Sequence, residues 1–279
     1  MTPMIALSYQ AELSVALAAA REAGQAIRRY YRNAYEVEDK SPDNPITDAD
    51  RDADRILRER ITAAFPQDGW LSEETRDDPA RLAKGRVWIV DPLDGTKDFI
   101  GGIPEFALSI ALWVEGEIAL GVTHNPATGE LFYALRGGGG WQVVDGSEER
   151  RRLQVTSRGR LEGCRVLASR SEYGRGEFEG FLVPLEIVPT GSIAYKLALV
   201  AAGRADATWS QGPKSEWDIA AGVLLVTEAG GRVTDLEGAP HRFNQPRPAA
   251  NGIVATNGHL HEAVMALLET HPVEREGWR

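Results

Sequence analysis

The stretch from Val87 to Val144 repeats short apolar segments separated by a few turn residues. After VWIVD come FALSIALWV, EIALGVTHN, GELFYAL and WQVVDG, all with the β-branched and aromatic residues that suit strands. A parallel crossover needs a dozen or more residues, so connections this short favour antiparallel pairing of successive strands. The glycine run RGGGG is not followed by Gly-Lys-Ser/Thr, so a hairpin turn explains it better than a phosphate loop. The sequence therefore predicts an antiparallel meander.

Helical periodicity precedes this meander. Residues 8–33 carry apolar side chains at a spacing of three to four, and a second helix is predicted over residues 47–65. Thr47 and Asp50 resemble a capping box at the start of that second helix. Residues 38–46 contain two prolines and are predicted to form a loop.

The rhythm of the pattern changes near residue 155. Beyond it, strand-like and helix-like segments alternate as far as a closing helix over residues 260–268. Such alternation is typical of helices packed against sheets in layers. We therefore predict a layered α/β fold in two halves, residues 1–155 and 156–279, that pack as one compact unit.

Net charge and composition limit the possible partners. The chain has 279 residues and a formal net charge of −10, which disfavours nucleic acid polymers because phosphate backbones need a basic face. The single cysteine, Cys164, excludes an intrachain disulfide. No apolar stretch approaches the ~20 residues of a membrane span, and the first residues lack the basic start of a secretory signal. These features predict a cytoplasmic protein that binds neither nucleic acid polymers nor membranes.

The hexapeptide DPLDGT after the first strand of the meander is the strongest chemical signal. Asp91 and Asp94 lie three residues apart around a tight turn, where two carboxylates can share a hard cation such as Mg²⁺. The turn at Gly95 and Thr96 also presents backbone amides, which suit an anion such as phosphate. An ordinary Asp-Gly turn is the structural alternative. Together these groups predict metal-assisted phosphoryl chemistry.

Three further acidic groups stand where a metal site could use them. Glu73-Glu74 follows an apolar pair at a predicted strand end, and Asp218 lies in the first turn of an apolar helix. Each also has a structural explanation. Glu73-Glu74 fits a solvated turn, and Asp218 fits a position where the helix dipole favours an acidic residue. Asp50 lies in TDADRDAD, which is not an EF-hand loop because Ala53 replaces the required glycine.

Several of these motifs together resemble the inositol monophosphatase superfamily. WIVDPLDGTKDF is similar to its first signature, WDIAAGVLLVTEAGG to its second, and SEE and DKSPDNPITDAD precede them in the same order. The resemblance covers about residues 10–270. It implies an αβαβα five-layer sandwich with the active site between the two halves. It also implies lithium-sensitive, Mg²⁺-dependent hydrolysis of a phosphate monoester with two to three ions, an in-line attack by water without a covalent intermediate, and a homodimer.

The resemblance implies roles for individual residues. The implied metal ligands are Glu73, Asp91, the carbonyl of Leu93, Asp94 and Asp218, with Asp91 bridging two ions. The implied catalytic residues are Asp50, Glu73 and Thr96, of which Asp50 and Thr96 would orient the attacking water. The implied substrate contacts are Asp94, Gly95, Thr96, Lys97, Gly191, Ser192, Lys196, Gln211 and Asp218. Among these, the amides of Gly95 and Thr96 would hold the phosphate.

Three positions bear on the substrate. Lys97 in DGTKDF and Lys196 in GSIAYK are similar to the 3'(2'),5'-bisphosphate nucleotidase branch, where Lys196 could meet a second phosphate. Gln211 stands seven residues before Asp218, where inositol monophosphatases place a glutamate that binds sugar hydroxyls. These features favour a nucleotidase that converts 3'-phosphoadenosine 5'-phosphate to AMP. The alternative is an inositol-1-monophosphatase or another phosphatase for small sugar or polyol phosphates.

Two other classes are less favoured. A haloacid-dehalogenase-type phosphatase needs Asp-x-Asp, whereas Asp91 and Asp94 lie three residues apart. A catalytically silent regulator that binds metal or phosphate would not need every acidic ligand position filled, as they are here.

Overall fold

Residues 9–41, 44–147 and 149–273 of the computed structural model are described, and two helices joined by a hairpin come first. These elements are α1 (Gln10–Tyr30), β1 (Val37–Ser41), β2 (Asn44–Thr47) and α2 (Asp48–Ala64). Both predicted helices are present, although residue 8, the predicted start of the first, lies outside the described residues. The predicted loop over 38–46 was wrong for residues 38–41 and 44–46, because β1 and β2 pair antiparallel, and residues 42–43 lie outside the described residues. The exposed, charged β1 has no apolar alternation that could have revealed it.

The start of α2 matches its sequence signature. Thr47 has extended backbone angles, and its hydroxyl accepts a hydrogen bond from the Ala49 amide. The Asp50 carboxylate in turn accepts from the Thr47 amide at 2.8 Å. The capping box predicted from these two residues is therefore confirmed, and it fixes the position of the Asp50 side chain.

A seven-stranded sheet forms the larger of the two main sheets. Its strands, in spatial order, are β3 (Gly69–Ser72), β4 (Arg86–Asp94), β5 (Ala107–Val114), β6 (Glu117–Asn125), β7 (Glu130–Leu135), β8 (Gly139–Val144) and β9 (Arg150–Arg152). Only the pair β3–β4 is parallel, and each later pair is antiparallel. The predicted meander is confirmed, and the glycine run makes the turn between β7 and β8.

The second half contributes a five-stranded sheet. In spatial order its strands are β11 (Glu186–Thr190), β10 (Arg165–Ser169), β12 (Ala207–Ser210), β16 (Ile253–Thr256) and β14 (Arg232–Thr234). A separate short pair joins β13 (Lys214–Ser215) to β15 (Ala249–Ala250). The later helices in the described residues are α3 (Thr96–Ile100), α4 (Arg170–Gly174), α5 (Ile193–Ala201), α6 (Glu216–Glu228) and α7 (His261–Glu269). The sequence had not revealed α3, α4 or the shortest strands.

Alternating side chains of the sheets connect the layers. On one face of β4, Trp88 and Val90 pack in a core with α1 and α2. On the other face, Val87 and Ile89 pack in a core with α5, α6 and inner residues of the smaller sheet. The outer face of that smaller sheet packs against α7 through residues such as Val264. Successive strand residues point to opposite faces, so each sheet is covered on both sides.

The fold is thus an αβαβα five-layer sandwich, as predicted. Residue 155 falls in the connection between β9 and β10, and the division into halves at that point stays a prediction. Among the described residues, no helix is long and apolar enough to cross a membrane.

Candidate functional site

The end of β4 forms an irregular turn that presents two carboxylates. Pairing between β4 and β5 shifts register between Asp91 and Asp94, so the strand departs from a regular ladder there. Gly95 follows with φ of +96°, a conformation that glycine adopts without strain. A Cβ at this position would also lie 3.1 Å from the Glu105 carbonyl oxygen. The buried apolar residues of β4 therefore anchor a turn whose tip is acidic.

Three carboxylates from different elements meet beside this turn. Glu73 follows β3, Asp91 lies in β4, and Asp218 lies in the first turn of α6. One carboxylate oxygen from each lies within 4.8 Å of the others. Oδ1 of Asp91 accepts a hydrogen bond from the Leu93 amide, whereas its Oδ2 is buried without a hydrogen-bond partner among the described residues. The cluster has the donor set of a divalent-cation site, which all-oxygen ligands favour.

The electrostatics of the cluster also fit a cation. Burial raises the pKa of Asp91 well above its usual range, and repulsion from Glu73, Asp94 and Asp218 raises it further. Burial likewise raises the pKa of Asp218, with Asp94 and Glu73 adding to the effect. Like charges in a buried site disfavour ionisation of both groups. A bound divalent cation would relieve this repulsion and give the orphaned Asp91 oxygen a partner.

Asp94 is held by the C-terminal half. Its Oδ2 accepts hydrogen bonds from the Ser192 hydroxyl at 2.6 Å and from the Ala194 amide at 2.7 Å. Burial raises the pKa of Asp94, and the Ser192 hydrogen bond opposes that rise. Ser192 has φ of +53°, an uncommon angle for a residue other than glycine. This strained residue at the start of α5 thus fixes the carboxylate of Asp94.

Asp50 and Thr96 form a second polar unit at the site. The Thr96 hydroxyl donates to Oδ1 of Asp50 at 3.0 Å and lies 3.1 Å from the Leu93 carbonyl oxygen. The other Asp50 oxygen accepts from the amide and hydroxyl of Thr47, at 2.8 and 2.5 Å. Asp50 is buried, and this burial raises its pKa. The pair therefore presents an oriented hydroxyl beside the acidic turn.

Lys40 at the hairpin of β1 and β2 is a residue that sequence reasoning missed. Its ammonium lies 2.7 Å from a carboxylate oxygen of both Glu73 and Glu74. Burial opposes the charge on Lys40, but the two glutamates outweigh burial and raise its pKa. Its only sequence signal is its position as the second residue of the DKSPDNPITDAD motif. The structure brings a cation to the edge of the carboxylate cluster.

The predicted substrate-binding lysines and Gln211 occupy different environments. Lys97 is exposed on α3. Lys196 is buried on α5, where its ammonium donates to the Thr190 carbonyl at 3.3 Å and burial lowers its pKa to about 8. The Gln211 side chain donates to the His271 carbonyl and accepts from the Val273 amide. Gln211 therefore holds the chain after α7, and its role as a substrate contact stays a prediction.

Gly191 lies at a close approach between the halves. A Cβ there would lie 2.4 Å from Oδ2 of Asp98 and 2.5 Å from the Glu105 carbonyl oxygen. We expect Gly191→Ala to destabilise the protein by about 2 kcal/mol, as overpacking does, and to lower activity by displacing Ser192. Urea unfolding and kcat would measure both effects. Gly174→Ala is the matched control, since no atom of the described residues lies within 4 Å of a Cβ at Gly174; equal losses in both variants would contradict the prediction.

Comparisons with known proteins agree with this geometry. A family profile described as the inositol monophosphatase family matches residues 8–272. An inositol-1-monophosphatase of Rhizobium meliloti is 38% identical, covering 94% of this chain and 98% of that protein. A histidinol-phosphatase of Chlorobaculum parvum is 34% identical, covering 92% and 96%.

Solved structures give the same result. The extragenic suppressor protein suhB from Bartonella henselae aligns with a TM-score of 0.79 and 36% identity, over 96% of this chain and all of that one. The family match spans nearly the whole chain, and the fold and the acidic turn agree with it. The chain therefore belongs to the inositol monophosphatase family, whose members are metal-dependent phosphoric monoester hydrolases.

Proposed function

We propose that this chain is a Mg²⁺-dependent phosphomonoesterase that acts on inositol 1-phosphate or a similar small polyol or sugar phosphate. The observation that carries the proposal is the cluster of Glu73, Asp91 and Asp218, with an Asp91 oxygen that lacks a hydrogen-bond partner in the part of the chain that the structure describes. Such a cluster is costly to bury without a cation. Family membership then assigns the cation to phosphate ester hydrolysis.

The proposed site takes two to three Mg²⁺ ions. Their ligands would be Glu73, Asp91, Asp94, Asp218 and the carbonyl of Leu93. When bound, such ions make an attacking water more acidic and stabilise the charge that develops on the leaving oxygen. The protein contributes the fixed positions of these oxygens, which come from β4, from α6 and from the segment after β3.

The remaining residues act directly on water and phosphate in this proposal. Asp50 accepts from the Thr96 hydroxyl, so a lone pair of that hydroxyl is free to accept a hydrogen bond from a water and orient it. The amides of Gly95 and Thr96 would hold phosphate oxygens. Glu73 would assist the water from the opposite side of the cluster. As the water attacks phosphorus in line, its proton passes to Glu73, the bond from phosphorus to the leaving oxygen breaks, and the leaving alkoxide takes up a proton from solvent. No covalent enzyme intermediate is needed.

We infer that the substrate is a small polyol or sugar phosphate rather than a bisphosphorylated nucleotide. The expectation of a bisphosphate nucleotidase rested on Lys97, Lys196 and Gln211. The Lys196 ammonium is buried against the Thr190 carbonyl, which leaves it poorly placed for a second phosphate. Similar proteins carry the names inositol-1-monophosphatase and histidinol-phosphatase. Both observations support the alternative, a phosphatase for small polyol or sugar phosphates, over the nucleotidase.

Other expectations about the chain stay predictions. They are a homodimer, inhibition by lithium, and a cytoplasmic location. The silent regulator is the competing non-enzymatic function, and it predicts binding of metal or phosphate without turnover.

A substrate panel tests the proposed function. With Mg²⁺ present, we expect kcat/KM for inositol 1-phosphate to exceed that for 3'-phosphoadenosine 5'-phosphate by about tenfold or more, as expected when one good hydrogen-bond set is lost. Fructose 1,6-bisphosphate and histidinol phosphate complete the panel, and phosphate release is the measurement. A preference for the bisphosphorylated nucleotide would restore the nucleotidase, and no turnover of any substrate would favour the regulator.

A further inference from the structure

Lys214 stands beside the proposed metal ligands. It lies in β13, which pairs with β15 and leads directly into the capping box of Ser215 and Asp218. The Ser215 amide donates to Oδ2 of Asp218 at 3.1 Å. The charge of Lys214 acts on both Asp94 and Asp218, lowering the pKa of each against the larger rise caused by burial. Lys214 is therefore at the wall of the acidic site.

The ammonium of Lys214 retains hydrogen-bonding capacity. Within the part of the chain that the structure describes, its one polar partner is Glu172, with Nζ 3.5 Å from Oε1. At that distance the two groups form an ion pair, but the hydrogen bond between them is weak. An ammonium carries three N–H donors, and the Lys214 side chain is 20% exposed. A small ligand in the site can reach it.

Lys196 also lies near Asp94, but its exposure and its hydrogen bonding differ from those of Lys214. Both lysines act on the charge of Asp94, but Lys196 is only 3% exposed and donates to the Thr190 carbonyl. Lys196 thus supports the structure behind Asp94. Lys214 is the more exposed lysine of this pair.

We propose that Lys214 is a specificity-determining residue, which donates a hydrogen bond to a hydroxyl on the leaving-group part of the phosphate ester. This inference rests on the proposed function, because it assumes that the phosphate lies at the carboxylate cluster. The rest of the substrate must then extend past Asp94 and Ser192 toward solvent. Lys214 borders this site, since its charge acts on both Asp94 and Asp218.

The surroundings of Lys214 favour a hydroxyl over a second phosphate. The Glu172 carboxylate is buried, accepts a hydrogen bond from the Ser210 hydroxyl, and balances the positive charge of Lys214. A second dianionic phosphate at Lys214 would approach both Glu172 and Asp94. Like charges in a site of this kind repel, whereas a neutral hydroxyl needs only one donor. The preferred substrate class is therefore a monophosphorylated polyol.

Lys214→Met tests this role with two monoesters. A lost hydrogen bond from a charged group should raise KM for inositol 1-phosphate by about tenfold or more. The kcat/KM for p-nitrophenyl phosphate, whose leaving group has no aliphatic hydroxyl, should fall by a clearly smaller factor, so that the preference for inositol 1-phosphate over p-nitrophenyl phosphate drops by about fivefold or more. Lys214→Gln keeps a donor and should give a smaller rise in KM than Lys214→Met. Lys84→Met, at an exposed position before the start of β4, is the matched control and should change neither value.

Each other outcome identifies what has failed. Equal losses on both monoesters would show that Lys214 acts through Asp94 and Asp218 or through the fold, and would overturn the inference. Unchanged kinetics in Lys214→Met, with an active wild type, would overturn the inference alone. A larger loss for 3'-phosphoadenosine 5'-phosphate than for inositol 1-phosphate would overturn the polyol assignment. A wild-type protein inactive on all three substrates would overturn the proposed function as well.

Discussion

Replacing Asp91 by asparagine is expected to remove phosphatase activity and to leave the metal-free protein at least as stable as the wild type. The carboxylate is buried, and burial together with Glu73, Asp94 and Asp218 raises its pKa. Asparagine keeps the oxygen that accepts from the Leu93 amide but removes the negative charge. Several kcal/mol of transition-state stabilisation by metal should disappear, which corresponds to a fall of about a thousandfold or more in kcat/KM.

Thermal unfolding separates the two effects of Asp91→Asn. In EDTA, the variant should unfold at the same temperature as the wild type or higher, because a repulsive buried charge is gone. Excess Mg²⁺ should raise the unfolding temperature of the wild type, since a ligand of the native state stabilises it, and should raise that of the variant much less. Glu59→Gln removes the same charge at an exposed position of α2 and is the control. Activity near that of the wild type, or an equal rise in unfolding temperature with Mg²⁺, would contradict the assignment of Asp91 as a metal ligand.

The convergence of the acidic residues was predictable to a large degree from local sequence rules. A buried run ending in Asp91 had to be a strand, and the turn at Gly95 had to follow it. Asp218 sits at the third position of a capping box on Ser215, which is a signal readable from a few residues. In a layered α/β fold, the end of a strand and the start of a helix packed on its sheet lie close together. Three acidic side chains at such ends were therefore reasonable candidates for one cluster.

The partners of those residues were not predictable, because they come from distant parts of the chain. The hydrogen bonds from Ser192 and Ala194 to Asp94 join residues about a hundred positions apart. Lys40 reaches Glu73 from an exposed hairpin whose strand has no apolar pattern. Gln211 was assigned a substrate contact from its position alone, and the structure shows it bonded to residues 271 and 273. Sequence spacing carries no information on these tertiary choices.

Asp50 determines which way the Thr96 hydroxyl is oriented. One Asp50 oxygen is saturated by the amide and hydroxyl of Thr47. The other accepts from Thr96, and an ionised carboxylate can only accept. The hydroxyl of Thr96 is thus obliged to donate toward Asp50 or toward the nearby Leu93 carbonyl, and its lone pairs remain available to a water.

Asp50→Asn should therefore lower kcat by about a hundredfold or more, as the misplacement of a reacting group does, with little change in KM. The asparagine oxygen can still accept from Thr47, but its amide nitrogen would donate to Thr96 and occupy the lone pair that the water needs. Thr47→Ser is the control, because it keeps the hydroxyl and the capping box. Steady-state kinetics on inositol 1-phosphate with saturating Mg²⁺ measures the effect, and thermal unfolding checks the cap. A rise in KM with unchanged kcat would instead make Asp50 a residue that only shapes the binding site, and Thr96 would lose its proposed role in orienting water.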